Sequence, residues 1–350
     1  MKNMFLPNFC SVVVLGLIGA IPAAAAGVPF IDTQAQFDPA QPSRNYTEIA
    51  DAIVAEMDKW GVSMTFLVPP PQAPYGRARQ EIEDYLPVLK KYPGRFAALG
   101  GGGTINRLII RTNPGQVSDA DRRELRARAE EILATGALGL GEVTSSHYSL
   151  PKMMQGHPYE ATAPDHPLLL QLADIAAEKN VPIDVHFDVV PQDMPIPPHL
   201  AGAQNPSELK ANLPQFEKFL AHNRGARIVW SHAGSDPGRQ RSPALMQRLL
   251  AEHPNLYMSI RLVQMAPLPF TPLAPDGKLK EIWLKLFMAF PDRFIMQTDA
   301  FYGLGPPLIQ FGSTQGLELA RRLLDQLPED VAEKFAYGNV ERIYNLRLKR

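Results

Sequence analysis

The chain has 350 residues, of which 45% are hydrophobic and 20% charged, and its formal net charge is −1. This length fits one barrel-sized domain, because such barrels run from roughly 200 to more than 400 residues. Acidic and basic residues are interspersed without a basic tract, which argues against a nucleic-acid partner.

The first 26 residues have the pattern of a secretory signal peptide. Lys2 precedes an apolar run from Ser11 to Ile21, and small residues lead to Ala26. An uncleaved membrane anchor is the alternative, but the run is shorter than the ~20 residues that span a bilayer. We therefore predict a signal peptide over 1–26 and a secreted or periplasmic domain over 27–350, free of the membrane after cleavage. Cys10 is the only cysteine, so this mature chain has no disulfide.

Short apolar runs alternate with longer amphipathic stretches, which is typical of a parallel βα architecture. Eight strands are predicted, at 28–37, 63–68, 95–101, 138–143, 181–187, 226–233, 255–261 and 293–299. Helices are predicted near 47–60, 77–91, 119–135, 166–179, 207–222, 242–252 and 278–290, with more after 314. In the helix at 166–179, Asp165 is the predicted N-cap and Pro167 fits the first turn.

The loops that follow the strands are long and rich in proline. They are 69–76, 144–165, 188–206, 263–276 and 300–313. In an eight-stranded parallel barrel these loops form the active-site face. We therefore predict an α/β fold with a single (β/α)8 TIM-barrel domain.

Polar residues stand at the ends of the last five predicted strands. They are Glu142, His186, His232, Arg261 and Asp299, in chain order. The carboxyl ends of strands in a closed parallel barrel converge on one mouth, so these side chains are expected to share a site. The alternatives are structural histidines and a salt bridge of Arg261 at the barrel rim. His147, Tyr148 and His157, in the loop after strand four, are either substrate contacts or surface residues.

Several segments resemble the amidohydrolase superfamily, in its amidohydrolase-related branch of small-molecule hydrolases, lactonases and decarboxylases. They are Ile31-Asp32-Thr33-Gln34-Ala35-Gln36, Val185-His186-Phe187, Trp230-Ser231-His232-Ala233-Gly234, Gln297-Thr298-Asp299 and a closing helix at 337–346. In that family the first strand carries a His-x-His pair of metal ligands. Here Gln34 and Gln36 replace both histidines.

The resemblance implies a divalent metal, zinc being expected, held by Glu142, His186 and His232. An amide oxygen is a poor zinc ligand, so the position usually held by the first-strand pair is expected to be weak or empty. A zinc ion with three protein ligands lowers the pKa of a bound water to about 7. Asp299 is then the expected general base, with His232 beside it. Gln34 and Gln36 are expected to donate hydrogen bonds to substrate or to Asp299, and Arg261 to bind a substrate carboxylate.

Three functions remain open from the sequence. The first is an exported hydrolase that cleaves a small-molecule amide, ester or lactone with a single metal-activated water. The second is a metal-independent lactonase or decarboxylase, in which Asp299 and His232 are acid and base. The third is a catalytically degenerate binding protein. As the alternative to metal ligation by Glu142, Gly141-Glu142 simply turns a strand end. A small-molecule substrate is the expected partner, a homo-oligomer is compatible with the sequence, and the substrate's identity is left open.

Overall fold

The computed structural model describes residues 27–38, 45–72, 80–150, 158–202, 204–263, 270–304, 308–311 and 315–347. The predicted signal peptide (1–26) and His157 lie outside these residues. Among the helices that are described, none combines the length and the apolar character needed to cross a membrane.

Eight parallel strands follow one another around a barrel, each paired with its sequence neighbours. They are β1 Phe30–Phe37, β2 Val62–Leu67, β3 Phe96–Ala98 with Gly100–Gly101, β4 Leu140–Thr144, β5 Pro182–His186, β6 Arg227–Ala233, β7 Leu256–Arg261 and β8 Phe294–Gln297 with Ala300–Tyr302. The predicted eight-stranded barrel is confirmed.

Two of the strands are broken, and the breaks let the barrel close. The first piece of β3 pairs with β2 and its second piece pairs with β4. In the same way, the first piece of β8 pairs with β7 and its second piece pairs with β1. Each broken strand therefore joins two sheets, and closure leaves no exposed edge at these two junctions.

Helices cover the outside of the barrel. They are α1 Tyr46–Trp60, α2 Ile82–Lys91, α3 Ile105–Arg111, α4 Asp119–Ala134, α5 Pro167–Lys179, α6 Leu213–His222, α7 Pro243–Glu252, α8 Glu281–Ala289, α9 Gly316–Leu324, α10 Glu329–Glu333 and α11 Asn339–Ile343. A π-turn at Lys334–Gly338 joins the last two. Each long helix buries one apolar stripe, as in α1, where Ile49, Ile53 and Met57 are fully buried.

The core has two main parts, because the side chains of a strand alternate between its two faces. Phe30 belongs to the large cluster between the strands and the helices. Its neighbour Ile31 belongs to a second cluster, which also contains Phe66 and Tyr344, whose rings meet edge to face at 5.0 Å. The C-terminal segment thus packs on the second cluster.

The helix predictions need correction at several positions. The N-cap of α5 is His166, whose side chain accepts from the amide of Leu168, so the prediction of Asp165 was wrong. Helix α6 begins at Leu213 instead of 207, because Glu208–Leu209 pairs with Met194–Pro195 as a small antiparallel ladder. Helix α3 was not predicted, since it follows a run of glycines that interrupts its apolar pattern.

Candidate active site

All seven residues predicted for the site lie at one end of the barrel and are largely buried. Gln34 and Gln36 lie on β1, and Glu142, His186, His232 and Arg261 lie on β4, β5, β6 and β7. Asp299 lies in the break of β8. Hydrogen bonds and ion pairs connect these side chains into one network.

Glu142 is the centre of this network and is 2% exposed. Its Oε1 lies 3.1 Å from Nδ1 of His186 and 2.7 Å from Nε2 of His232. Its Oε2 accepts a hydrogen bond of 2.7 Å from Nε2 of Gln34. Burial disfavours the charge of Glu142, but the two histidines hold its pKa well below the ordinary value. Glu142 is therefore a carboxylate throughout the neutral range.

His186 has a carboxylate at each of its ring nitrogens. Nδ1 faces Glu142, and Nε2 lies 3.6 Å from Oδ2 of Asp188. Burial alone would lower the pKa of His186, but the charges and hydrogen bonds of Asp188 and Glu142 raise it to about 10. The ring is protonated at neutral pH, so a metal ion that binds Nδ1 has to displace a proton.

His232 is held between Glu142 and Gln297. Nε2 of Gln297 lies 2.6 Å from Nδ1 of His232, on the side of the ring opposite Glu142. Burial lowers the pKa of His232, which favours the neutral ring. An amide offers either a donor or an acceptor, so Gln297 can match either tautomer of this ring.

Asp299 has three kinds of neighbour. Its Oδ1 accepts hydrogen bonds from Nε2 of Gln36 at 2.9 Å and of Gln34 at 3.3 Å. Its Oδ2 lies 3.1 Å from Nη2 of Arg261 and 3.9 Å from Nδ1 of His232. The side-chain amide nitrogens of Gln34 and Gln36 thus donate hydrogen bonds to the carboxylates of Glu142 and Asp299.

The backbone is unusual at two of the site residues. His232 has φ 66° and Asp299 has φ 52°, in the left-handed region that non-glycine residues rarely adopt. Such conformations cost about 1–3 kcal/mol each and cluster at functional sites. At the barrel mouth, this backbone turn directs His232 toward Glu142 and Asp299 toward Arg261.

The donor atoms around Glu142 fit a metal ion. One atom each from Glu142, His186 and His232 lies within 4.8 Å of the others. Metal bonds of about 2.0–2.2 Å place two ligands of a tetrahedral zinc about 3.3–3.6 Å apart. The separations of 2.7 and 3.1 Å are shorter than this by less than about 1 Å, so side-chain shifts of that size would admit an ion. The buried Oε1 atoms of Gln34 and Gln36 have no hydrogen-bond partner among the described residues.

Three further residues belong to the site and were missed from the sequence. Gln297 contacts His232, and Asp188 lies between His186 and His147, whose Nδ1 is 3.1 Å from Oδ2 of Asp188. Glu160 is 7% exposed, and burial together with the charge of Glu142 raises its pKa to about 7. Spacing could have identified two of them, because Asp188 and Gln297 each stand two positions from a predicted site residue.

Comparisons with known proteins agree with this barrel. The model of a family described as amidohydrolase matches residues 120–346. No curated protein matches the sequence.

Among solved structures, three similar ones cover nearly all of the chain. A ligand-free structure from Agrobacterium tumefaciens is 13% identical to this chain and has a TM-score of 0.50. The alignment covers 92% of this chain and 97% of the Agrobacterium chain. A zinc-bound amidohydrolase of Burkholderia multivorans has 16% identity, 91% and 100% coverage and a TM-score of 0.45. A manganese-bound dihydroxybenzoic acid decarboxylase of Polaromonas has 12% identity, 90% and 96% coverage and a TM-score of 0.46. At 13% identity, the likeness to the Agrobacterium structure is one of fold alone.

Proposed function

The chain belongs to the amidohydrolase family, whose model matches residues 120–346, and on that premise we propose that it is a metal-dependent hydrolase of a small-molecule amide, ester or lactone. The observation that supports this most is the position of Glu142. Its Oε1 lies within hydrogen-bonding distance of one ring nitrogen of His186 and one of His232. Asp299 lies on the other side of the His232 ring. This arrangement supports a metal site with three candidate ligands and a candidate carboxylate base beside it.

Glu142, His186 and His232 would hold one divalent ion, and we propose zinc because two of the three ligands are imidazoles. An ion bound there would polarise the substrate carbonyl and make a water more acidic. Gln34 and Gln297 orient the ligands of this centre. Gln34 donates a hydrogen bond to Oε2 of Glu142, and Gln297 contacts Nδ1 of His232. Neither contact uses Oε1 of Glu142 or Nε2 of His232, so these two atoms stay available to a metal ion.

Asp299 is the proposed general base. Its carboxylate would take the proton of the attacking water and return it to the leaving group, so that water adds across the cleaved bond. Gln36 and Arg261 hold the two oxygens of this carboxylate at 2.9 and 3.1 Å. Arg261 is 13% exposed at its side chain, and its Nε has no partner among the described residues. A substrate carboxylate could therefore bind to this guanidinium.

Export is part of the proposal. The pattern of residues 1–26 supports a signal peptide, and cleavage after Ala26 would release the barrel into the periplasm or outside the cell. N-terminal sequencing of the mature protein tests this prediction.

Metal content and turnover of Glu142→Ala test the function. The variant should lose one zinc ion per chain and lose turnover in a screen of esters, lactones and amides, because it removes the carboxylate shared by both histidines. Glu217→Ala is the matched control. Glu217, Glu252 and His253 also bring donors together, but Arg248 already pairs with both carboxylates, at 2.5 and 2.7 Å. Unchanged zinc content and turnover in Glu142→Ala would contradict the proposal.

A metal-independent lactonase or decarboxylase is the second candidate. Its support is that Glu142 and both histidines already satisfy one another, and that Arg261 stands where a substrate carboxylate could be held. Asp299 and His232 would then act as acid and base. Full activity after chelator treatment and in Glu142→Ala would favour this candidate over the first.

A further inference from the structure

His186 has a second set of potential metal ligands on the side of its ring that faces away from Glu142. His147 and Asp188 supply this set. One donor atom of each, together with one ring nitrogen of His186, lies within 4.8 Å of the others. The rings of His147 and His186 have centroids 4.0 Å apart and are inclined at 68°. Two groups of three ligands thus share one histidine.

The distances in the second group suit an ion at least as well as those in the first. Oδ2 of Asp188 lies 3.1 Å from Nδ1 of His147 and 3.6 Å from Nε2 of His186. Bonds of about 2.0–2.2 Å would place two ligands of a tetrahedral zinc about 3.3–3.6 Å apart. Two of the three separations therefore need little change, and the donor atoms of the two histidines lie within 4.8 Å of each other.

The local charge also favours a cation. Asp188 is 6% exposed, and its carboxylate faces both histidines of the group. Glu160 lies beside His147 in a small antiparallel ladder, and one of its carboxyl oxygens is buried without a partner among the described residues. In the described part of the chain, Asp188 forms no ion pair with Lys or Arg, and its ionic contacts are with His147 and His186.

A cavity gives access to this group. It has a volume of about 360 Å³ and is lined by His147 and Asp188 together with Tyr148, Tyr159, Val190 and Leu209. The main-chain amide of Tyr148 donates to Oδ2 of Asp188 at 2.8 Å and holds that carboxylate in place. The cavity has room for water or another ligand on the open side of an ion, as a three-ligand site requires.

We propose that His147, Asp188 and Nε2 of His186 form a second divalent-cation site, which shares the ring of His186 with the proposed centre at Glu142 and His232. When both ions are bound, the ring of His186 bridges them as an imidazolate, and both of its ring protons leave to solvent. The outer ion is reached from the cavity and the inner ion from the barrel mouth. This inference goes beyond the proposed hydrolase, which needs only the inner ion.

Metal content after removal of metal by a chelator and reloading with zinc tests the proposal. We expect two ions per chain in the wild type and one in His147→Ala, His147→Gln or Asp188→Asn. The matched control is His222→Ala. His222 also faces an aspartate, with Nε2 3.0 Å from Oδ2 of Asp174, but none of the described residues adds a third ligand to that pair, so the control should keep two ions. Circular dichroism and thermal unfolding verify that each variant is folded.

The outcomes separate this inference from the proposed function. One ion in the wild type that Glu142→Ala removes and His147→Ala retains would overturn the second site and leave the hydrolase proposal intact. Two ions in both the wild type and a folded His147→Gln variant would also overturn it. A further readout is copper loading, because two Cu²⁺ ions bridged by His186 should couple magnetically and lose their separate electron paramagnetic resonance signals. Unattenuated, independent Cu²⁺ signals at two ions per chain would contradict the bridge.

Discussion

Gln34 and Gln36 change the chemistry of the first strand by the atoms they present. Their amide nitrogens donate to Glu142 and Asp299 at 2.7 and 2.9 Å. An imidazole at either position would compete for a metal ion, whereas an amide donor stabilises the neighbouring carboxylate as an anion. The glutamines therefore confine the proposed inner ion to the side of Glu142 that faces His186 and His232.

Arg261 and Asp299 should be energetically coupled. The side chain of Arg261 is 13% exposed and that of Asp299 is 9% exposed, and their charged atoms are 3.1 Å apart. Removing one partner of such a pair leaves the other charge buried without compensation. We expect Arg261→Met to destabilise the protein by about 1–3 kcal/mol, and by much less when Asp299→Asn is already present. Urea unfolding of both single variants and the double variant measures this coupling. If the losses of unfolding free energy in the two single variants simply add in the double variant, the ion pair contributes nothing to stability.

At the scale of elements, the ends of the helices and strands are fixed by a few polar contacts. His166 caps α5 and its Nε2 also lies 2.9 Å from the carbonyl of Thr112, which ties α5 to the end of α3. Asn339, at the start of α11, donates to the carbonyls of Phe294 and Pro291 at 2.8 and 2.9 Å. The closing helix is thereby attached to β8, the strand that leads to Asp299.

The glycine run after β3 allows the chain to pass close to its neighbours. A Cβ at Gly103 would lie 1.8 Å from the carbonyl oxygen of Gln80, which is backbone and cannot rotate away. We expect Gly103→Ala to destabilise the barrel by about 3 kcal/mol or more, or to prevent folding. Gly94→Ala is the control, since Gly94 has φ 81° but no atom within 4 Å of the added Cβ. Backbone strain alone should cost about 1–2 kcal/mol there. Similar thermal unfolding temperatures for the two variants would refute this explanation.

Helices and strands were predicted correctly where a short stretch of sequence carries the pattern. Strand positions came within a few residues, because alternating apolar runs bounded by polar loops are visible in the sequence. Helix starts were less accurate, since Asp165 and His166 are both able to cap α5 and only the packed chain selects His166. The breaks in β3 and β8 were not predicted, because each depends on pairing with two different sheets.

At the scale of the whole molecule, stability should depend on the protonation of buried carboxyls. Burial raises the pKa of Glu160 from 4.5 to about 7, so the folded chain keeps a proton that the unfolded chain loses between these values. The stability that Glu160 contributes is full below pH 4.5 and is lost as the pH rises through 7.

We therefore expect Glu160→Gln, which stays neutral, to match the wild type near pH 4.5 and to exceed its stability at pH 8 by about 1–3 kcal/mol. Denaturant unfolding of the chelator-treated protein at several pH values measures the difference. Glu208→Gln, at an exposed position in the neighbouring ladder, should show no such trend. A difference that does not change with pH would argue against a buried neutral Glu160.

The sequence by itself determined the barrel and the group of residues at its mouth. Strand order and strand ends follow from local periodicity, and the carboxyl ends of parallel strands in a closed barrel must meet. That reasoning brought together Glu142, His186, His232, Arg261 and Asp299. Tertiary structure alone decided the partners, since it shows that Glu142 binds both histidines and that the first-strand amides donate to the carboxylates. It also placed Asp188 and His147 on the outer nitrogen of His186. Contacts between loops and strands far apart in the chain depend on side-chain directions and burial, which no local pattern encodes.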